Sequence, residues 1–218
     1  MVKKAKSAKF LIRRLTFQLK APPTILGVLT SCTLFMASQP TAAQDQQQIV
    51  NVRNAGAFTC EEVLPVLSSP GAQTEKTAFL QWTAAYATAA SRSNSLIDVF
   101  PLGDTSELVL MTSLVCQEAP TVSFEAALRT TIGRLRNYWI RQSAHVVTLN
   151  DPGGRTVRIY EEAVTKLQRN LQNIGANISI DGAYGNQTGN AVRELNEARG
   201  LPPWLTPDGT LLYVLTRP

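Results

Sequence analysis

The positions of the apolar residues divide this chain into regions with different expected structures. Between Phe58 and Tyr138 the apolar residues recur at the spacing of one helix face. Each expected helix also has a start signal, usually a side-chain oxygen that can accept a hydrogen bond from the first turn. These signals are Thr59, Thr74 or Glu75, Thr105 or Ser106, and Ser123. The pattern predicts a four-helix bundle over residues 57–143.

A connector with a different pattern follows over residues 144–160. Two short runs of β-branched residues flank a turn sequence, Asn-Asp-Pro-Gly-Gly, at residues 150–154. This arrangement is typical of a β-hairpin. His145, the only histidine of the chain, lies just before it and is interpreted as a surface residue.

Helical spacing returns in the last region, residues 161–218. Apolar positions from Ala163 onward form a stripe that ends at Gly175, a typical helix terminator. A second helix is expected over about 186–198, and a short third one after Asp208-Gly209. The whole chain is therefore expected to be mainly α-helical, with a short hairpin between two helical regions.

The turn before the second of these helices carries most of the candidate chemistry. A helix N-terminus favours a carboxylate through its free N–H groups. Side-chain amides exchange hydrogen bonds with amides and hydroxyls, and an aromatic ring supplies an apolar face. The candidate ligand-binding residues are Asp181, Tyr184, Asn186, Gln187, Thr188, Asn190 and Trp204.

The same residues also have a purely structural interpretation. Asp181 with Gly182 would only make the turn, because Asp-Gly is a strong turn dipeptide. Tyr184 would fill the core, while Asn186 and Thr188 would cap the helix. The sequence leaves both interpretations open for each residue.

Residues 1–43 have the three-part pattern of a secretory signal peptide, with cleavage expected after Ala43. A basic start is followed by an apolar run from Thr24 to Ala37, which is short for a transmembrane helix. One alternative is that this segment is an uncleaved membrane anchor. Another is lipidation at Cys32, within a sequence that resembles a lipoprotein box; a mature protein from which the signal peptide is cleaved would be tethered to a membrane only if Cys32 were lipidated. Residues 44–56 are polar and rich in Gln, and we expect a disordered lead-in there.

Removing the signal peptide reverses the charge of the chain. Seven of the 21 Lys and Arg residues and none of the 16 Asp and Glu residues precede Ala43, so the remainder carries a net charge of about −2. The basic pI therefore belongs to the targeting segment. A nucleic-acid partner is not expected, because it would require a basic face.

Cys60 and Cys116 remain as an even pair in an exported protein. In an oxidising compartment the expected outcome is a disulfide, and the alternative is two buried thiols. The two cysteines, with the helix carrying Trp82 and Tyr86, give residues 57–143 a faint resemblance to HdeA-like periplasmic acid-stress chaperones.

Many spaced positions of residues 161–218 resemble the peptidoglycan-binding-like domain, a three-helix module of bacterial cell-wall proteins. The matching positions are Leu167-Gln168, Leu171, Gly175, Ile180-Asp181-Gly182, Tyr184-Gly185, Thr188, Ala191-Val192, Gly200-Leu201 and Asp208-Gly209. The resemblance implies a three-helix fold and peptidoglycan, through its glycan or its peptide stem, as the partner. The chain departs from the family pattern at Leu195-Asn196, Gly189 and Pro202-Pro203-Trp204.

The family's module often accompanies a catalytic domain, but the chain shows few signs of one. It has a single His and neither a His-Glu-x-x-His nor a Gly-x-Ser-x-Gly sequence. We therefore expect no catalytic residue, metal or cofactor, although composition leaves open a transglycosylase, which needs little more than a placed Glu.

These patterns together indicate an exported, non-catalytic protein of the bacterial periplasm or cell envelope. It would bind peptidoglycan and place the helical region of residues 57–143 at the wall. The alternative is a periplasmic chaperone or interaction protein that uses residues 161–218 as a docking platform for an envelope protein partner.

Overall fold

The computed structural model describes residues 51–217, and most of them are helical. The signal peptide, Cys32 and residues 44–50 lie outside this range. The expected mainly helical fold with a small hairpin is confirmed. The elements are α1 (Cys60–Ser68), α2 (Gln73–Ser93), α3 (Thr105–Glu118), α4 (Phe124–Arg134), β1 (Val146–Asn150), β2 (Thr156–Tyr160), α5 (Glu161–Asn173), α6 (Asn186–Ala198) and α7 (Gly209–Thr216), with 3₁₀ turns at Asn54–Ala57 and Leu135–Tyr138.

Side-chain caps begin α1 and α4 where the sequence indicated them. The backbone N–H and hydroxyl of Thr59 donate to Glu62 Oε2 at 2.8 and 2.9 Å, so the Glu62 carboxylate supplies the side-chain contact to the N-cap residue that is typical of a capping box. Ser123 Oγ accepts a hydrogen bond from Ala126 N at 3.2 Å. These caps satisfy N–H groups that the helix itself leaves without partners.

The starts of α2 and α3 differ from the expected ones. α2 already begins at Gln73 rather than at Thr74 or Glu75. In α3 the cap is Asp104, whose carboxylate accepts from Ser106 N at 2.9 Å. The expected cap at Thr105 or Ser106 was therefore wrong, because the carboxylate one residue earlier already accepts from a free N–H group of the first turn.

A disulfide between Cys60 and Cys116 joins α1 to α3, as the even cysteine count indicated. Both cysteines are fully buried, and Phe79 and Phe124 pack edge to face beside them with ring centroids 5.1 Å apart. The disulfide therefore lies inside an apolar cluster shared by the first four helices.

The described end of the lead-in is ordered, which differs from the disorder expected for residues 44–56. Residues Asn54–Ala57 form a 3₁₀ turn, and Ala55 is only 7% exposed. The small side chain of Ala55 lets this turn pack into the same apolar cluster as the disulfide. The polar composition of residues 44–56 predicted disorder, because it does not reveal the few apolar contacts that order the turn at residues 54–57.

The expected hairpin is present, and it packs against the helical region. β1 and β2 pair antiparallel, with Leu149 opposite Val157 and both side chains buried. On the other edge of β2, Gly103 N donates to Arg158 O at 2.8 Å. The segment expected as a connector is therefore bonded to the loop that precedes α3.

Glu107 and Arg155 join three separate parts of the chain. Arg155 Nη2 lies 2.8 Å from Glu107 Oε1, and its Nη1 lies 3.8 Å from Asp208 Oδ2. The other oxygen of Glu107 accepts from Gly209 N at 2.8 Å. A side chain at position 209 would collide with the carbonyl oxygen of Glu107. The ion pair thus holds α3, the hairpin turn and the start of α7 together.

Packing is continuous across the domain boundaries expected near residues 143 and 160. Leu108 and Met111 of α3 share a core with Leu211 and Leu212 of α7. The described residues form one compact unit. No helix within residues 51–217 is long and apolar enough to cross a membrane.

Glu162, in the first turn of α5, closes the junction between the helical region and the hairpin. Its Oε2 accepts from the N–H groups of Arg141 and Gln142, both at 2.9 Å, and its Oε1 lies 2.7 Å from Lys166 Nζ. Burial opposes the charge of this carboxyl. The hydrogen bonds outweigh that effect and lower the pKa of Glu162 to about 2.

Removing the disulfide should weaken the fold. We expect Cys60→Ala with Cys116→Ala to lower the free energy of unfolding by about 4 kcal/mol, because the cross-link restricts the unfolded chain. Urea titration followed by circular dichroism measures this difference. The wild-type protein in reducing agent should approach the double variant, and equal midpoints for oxidised wild type and variant would contradict the expectation.

The stabilising effect of Glu162 should depend on pH. Because folding lowers its pKa, the ionised carboxyl stabilises the fold above the ordinary pKa near 4.5, and this contribution is lost as pH falls towards about 2. Glu162→Gln should therefore lower the unfolding midpoint at pH 7 and have progressively less effect below about pH 4.5. Glu161→Gln, at the exposed neighbouring position, is the control; a Glu162→Gln deficit that is constant from pH 7 to pH 3 would contradict this account.

Candidate functional site

Gln168 holds the candidate turn from inside the molecule. Its side chain is 1% exposed, and its Oε1 accepts from Gly182 N at 2.9 Å. Its Nε2 lies 2.8 Å from Asp181 Oδ1, 3.0 Å from Ala183 O and 3.1 Å from Thr188 Oγ1. One buried amide therefore joins α5 to the turn and to the first turn of α6.

No functional role was predicted for Gln168, which is one position of the family resemblance. The signal for it is a polar residue between Leu167 and Leu171, inside the apolar stripe of α5. All three side chains are buried. A buried amide at such a position must find partners, because an unpaired one is costly.

Asp181 and Gly182 form the turn itself. Besides the bond from Gln168, Asp181 Oδ1 accepts from Ala183 N at 2.9 Å. These bonds, that of Gln168 first, hold the pKa of the Asp181 carboxyl below its ordinary value. Gly182 has a φ of +76°, a conformation that favours glycine. This geometry agrees with a turn-making role for both residues.

Tyr184 lies half-buried beside the start of α6. Its hydroxyl donates to Leu205 O at 2.7 Å, which joins the turn to the segment before α7. Burial, followed by the nearby charge of Asp151, raises the pKa of the Tyr184 hydroxyl, so it stays protonated at neutral pH. The ring is therefore fixed in position, and one part of it faces the groove described next.

A groove of about 300 Å³ lies between β1 and the start of α6. It brings together Tyr184, Asn186 and Asn190 of the candidate set. The hairpin adds polar groups that the sequence did not assign to a site. The full lining is Thr148, Leu149, Asn150, Tyr184, Gly185, Asn186, Gly189, Asn190, Leu205 and Thr206.

The side chains available to a ligand in this groove are mainly amides and hydroxyls. Asn186 and Asn190 are exposed, as are Thr148 and Asn150 on the facing strand. The N-cap of α6 is Gly185, which has no side chain to accept from the first free N–H groups of the helix, and both Gly185 and Asn186 line the groove. This set can exchange hydrogen bonds with hydroxyl, amide and carboxylate groups.

Two other candidate residues make contacts that stabilise the fold and do not line the groove. Thr188 is 2% exposed and accepts from Gln168. The side-chain amide of Gln187 lies 3.3 Å from both Asn177 O and Ser179 N, and so fixes the loop before the turn.

Trp204 lies on the hairpin turn rather than in the groove. Its ring contacts Gly153, and the guanidinium carbon of Arg155 lies 5.9 Å from the ring centroid. The next residue, Leu205, donates its N–H to Asp151 Oδ2 at 2.6 Å. Trp204 thus helps to hold the segment that forms one wall of the groove.

Part of the groove lies in a segment that matches a known protein family. Residues 160–203 match the family model of a peptidoglycan binding domain. The suspected resemblance is thereby confirmed for this segment. The matched residues run from the end of β2 through α5, the turn and α6, and so include the α6 side of the groove. They are a minor part of the chain, and the strand that forms the opposite wall lies outside them.

The other comparisons add no relative. No curated protein and no solved structure matches the chain. The resemblance of residues 57–143 to HdeA-like proteins therefore stays a prediction. Within residues 51–217 no three His, Cys, Asp or Glu side chains are grouped so as to hold a metal ion.

Truncating Gln168 should destabilise the turn and the protein. We expect Gln168→Ala to lower the free energy of unfolding by about 3 kcal/mol, because Gly182 N and Thr188 Oγ1 lose a buried partner. Gln172→Ala, one helical turn later at an exposed position with one hydrogen bond to Ile178 O, is the matched control. Urea unfolding of both variants tests this; equal losses would show that Gln168 has no special role.

Proposed function

We propose that this chain is an exported, non-catalytic protein that binds peptidoglycan in the groove between β1 and α6. The main support is that groove, built partly from a segment that matches a peptidoglycan binding domain. Such a domain indicates association with the cell wall. Through it the protein would hold α1–α4 at the wall.

The chemistry of the groove suits a glycopeptide. Peptidoglycan offers sugar hydroxyls, amides and carboxylates, and Asn186 and Asn190 can donate to or accept from the first two. The uncapped N-terminus of α6 favours a carboxylate. The Tyr184 ring supplies an apolar surface for a sugar ring or a peptide stem. Thr148 and Asn150 would contact the same ligand from the hairpin side.

Peptidoglycan binding domains are frequent in cell-wall enzymes, so the family alone does not decide whether this chain is catalytic. The non-catalytic role is proposed because the sequence offers no nucleophile with a nearby base. Cys116, the cysteine of α3, is held in the disulfide. The only histidine, His145, is exposed and faces Glu161 at 3.1 Å. The docking-platform alternative, with an envelope protein as partner, is not favoured by the family match.

Sedimentation with purified sacculi tests the binding proposal. The protein from residue 44 onward should pellet with sacculi, and Asn186→Ala and Asn190→Ala should each weaken binding about fivefold, the effect of one lost hydrogen bond. Asn173→Ala, exposed at the end of α5, is the matched control and should bind as wild type. Failure of the wild-type protein to pellet would contradict the proposal, as would groove variants that bind normally.

The non-catalytic part has a test of its own. Sacculi incubated with the protein should release no more soluble muropeptides than sacculi incubated with heat-inactivated protein. Chromatography of the supernatant measures this release. Muropeptides above that background would show that the protein is a wall hydrolase.

A further inference from the structure

A second groove, of about 440 Å³, lies between α2 and α4 and shares no lining residue with the first. Its walls combine small side chains with aromatic and cationic ones. The lining residues are Tyr86, Ala89, Ala90, Ser93, Asn94, Arg129, Ile132, Gly133, Arg136 and Trp139. This volume is within the range of small-ligand sites in proteins.

The charged side chains that line this groove are arginines. The Arg129 side chain is 70% exposed, and its Nε lies 3.8 Å from Glu125 Oε1. That same oxygen accepts a shorter hydrogen bond, at 2.7 Å, from the Tyr86 hydroxyl. Arg129 is thus only loosely paired, and most of its donors face solvent at the edge of the groove.

Arg136 is held in place by an aromatic ring instead of an acid. Its guanidinium carbon lies 5.4 Å from the ring centroid of Trp139, and that of Arg141 lies 5.7 Å from the same ring. Within the described range, neither guanidinium has a carboxylate oxygen within the 4.0 Å of an ion pair. Stacking fixes the plane of a guanidinium and leaves its N–H groups available to an anion.

Trp139 forms a fixed base for this arrangement. It is 7% exposed, and its indole Nε1 donates to Ile132 O at 3.1 Å. Ala89 and Ala90 of α2 add small apolar side chains to the lining. The groove therefore combines partly apolar walls with the positive charge of two arginines.

We propose that this second groove binds the carboxylates of peptidoglycan peptide stems. A guanidinium matches a carboxylate in shape and can donate two parallel hydrogen bonds to it. A stem can place a carboxylate beside the arginines and apolar groups against the alanines, whereas the neutral sugar hydroxyls offer no charge to the arginines. The inference rests on the proposed function and gives the chain a second contact with the same polymer, which would raise its avidity.

Arginine variants test this contact on intact sacculi. Arg129→Gln with Arg136→Gln should weaken binding about tenfold at low ionic strength, and the difference should shrink at high salt because exposed charges are screened. Arg199→Gln, exposed at the end of α6, is the matched control. If the wild-type protein and the double variant bind sacculi equally well at low salt, the inference is overturned. The groove between β1 and α6 would then remain the proposed site.

Titrating the protein with soluble muropeptides, while following the Trp139 side chain, provides a second readout. The chain contains three tryptophans, so the indole N–H signal of Trp139 can be assigned in a nuclear magnetic resonance spectrum with Trp139→Phe. Soluble muropeptides should shift this signal, including in the Asn186→Ala protein, whereas muropeptides with amidated carboxyls should not. An equal shift with both ligands would overturn the inference, as would a stronger response to inorganic phosphate.

The combined outcomes separate the two proposals. If wild-type protein does not bind sacculi and muropeptides leave Trp139 unshifted, both proposals fail. If sacculus binding depends on Asn186 and Asn190 but not on the arginines, only the second groove is excluded. If it depends on the arginines alone, the proposed β1–α6 site is wrong.

Discussion

The contact between Glu107 and Arg155 determines how the parts of this molecule are arranged. One carboxylate binds the guanidinium with one oxygen and the first N–H of α7 with the other. Both side chains of the ion pair are largely shielded from solvent. Removing either one would leave the other charge with little water and no partner, which is unfavourable. Through this pair, α3, the hairpin turn and the last helix have fixed positions relative to one another.

The groove between β1 and α6 depends on that arrangement. One wall comes from the segment that matches a peptidoglycan binding domain, and the other comes from the hairpin. The hairpin turn is held at Arg155 by the ion pair and at Asp151 by the N–H of Leu205. The proposed binding surface is thus completed by a segment that was expected from the sequence to be a connector.

Much of the fold could be predicted from local signals. Ser123 caps α4 because a hydroxyl next to a helix start can accept from a free N–H group, and Thr59 begins α1 together with the carboxylate of Glu62 three residues later. The hairpin followed from its turn sequence, and the disulfide followed from the two cysteines that remain in a chain expected to be exported. Each of these predictions depends on neighbouring residues or on the cellular compartment. None of them requires knowledge of tertiary packing.

The site was harder to predict because it depends on contacts between distant residues. Gln168 lies inside the apolar stripe of α5, so helical spacing indicates that it is turned inward, but spacing does not reveal which distant groups its amide binds. Trp204 was a reasonable ligand candidate by residue type, but the chain places its ring on the hairpin turn. Thr148 and Asn150 were not considered, because their position opposite α6 is set by tertiary packing alone.

The packing of α7 on α3 has a consequence for how this protein would experience force. A wall polymer bound in the groove as proposed would pull on β1 and α6. Both share a core with α3, and the Glu107–Arg155 ion pair joins the hairpin turn to α3. Within residues 51–217 the groove and α3 belong to one compact unit, and α3 itself is covalently closed to α1 through Cys116 and Cys60. Tension from the wall would therefore spread through the folded body and reach a covalent bond, instead of separating two loosely tethered domains.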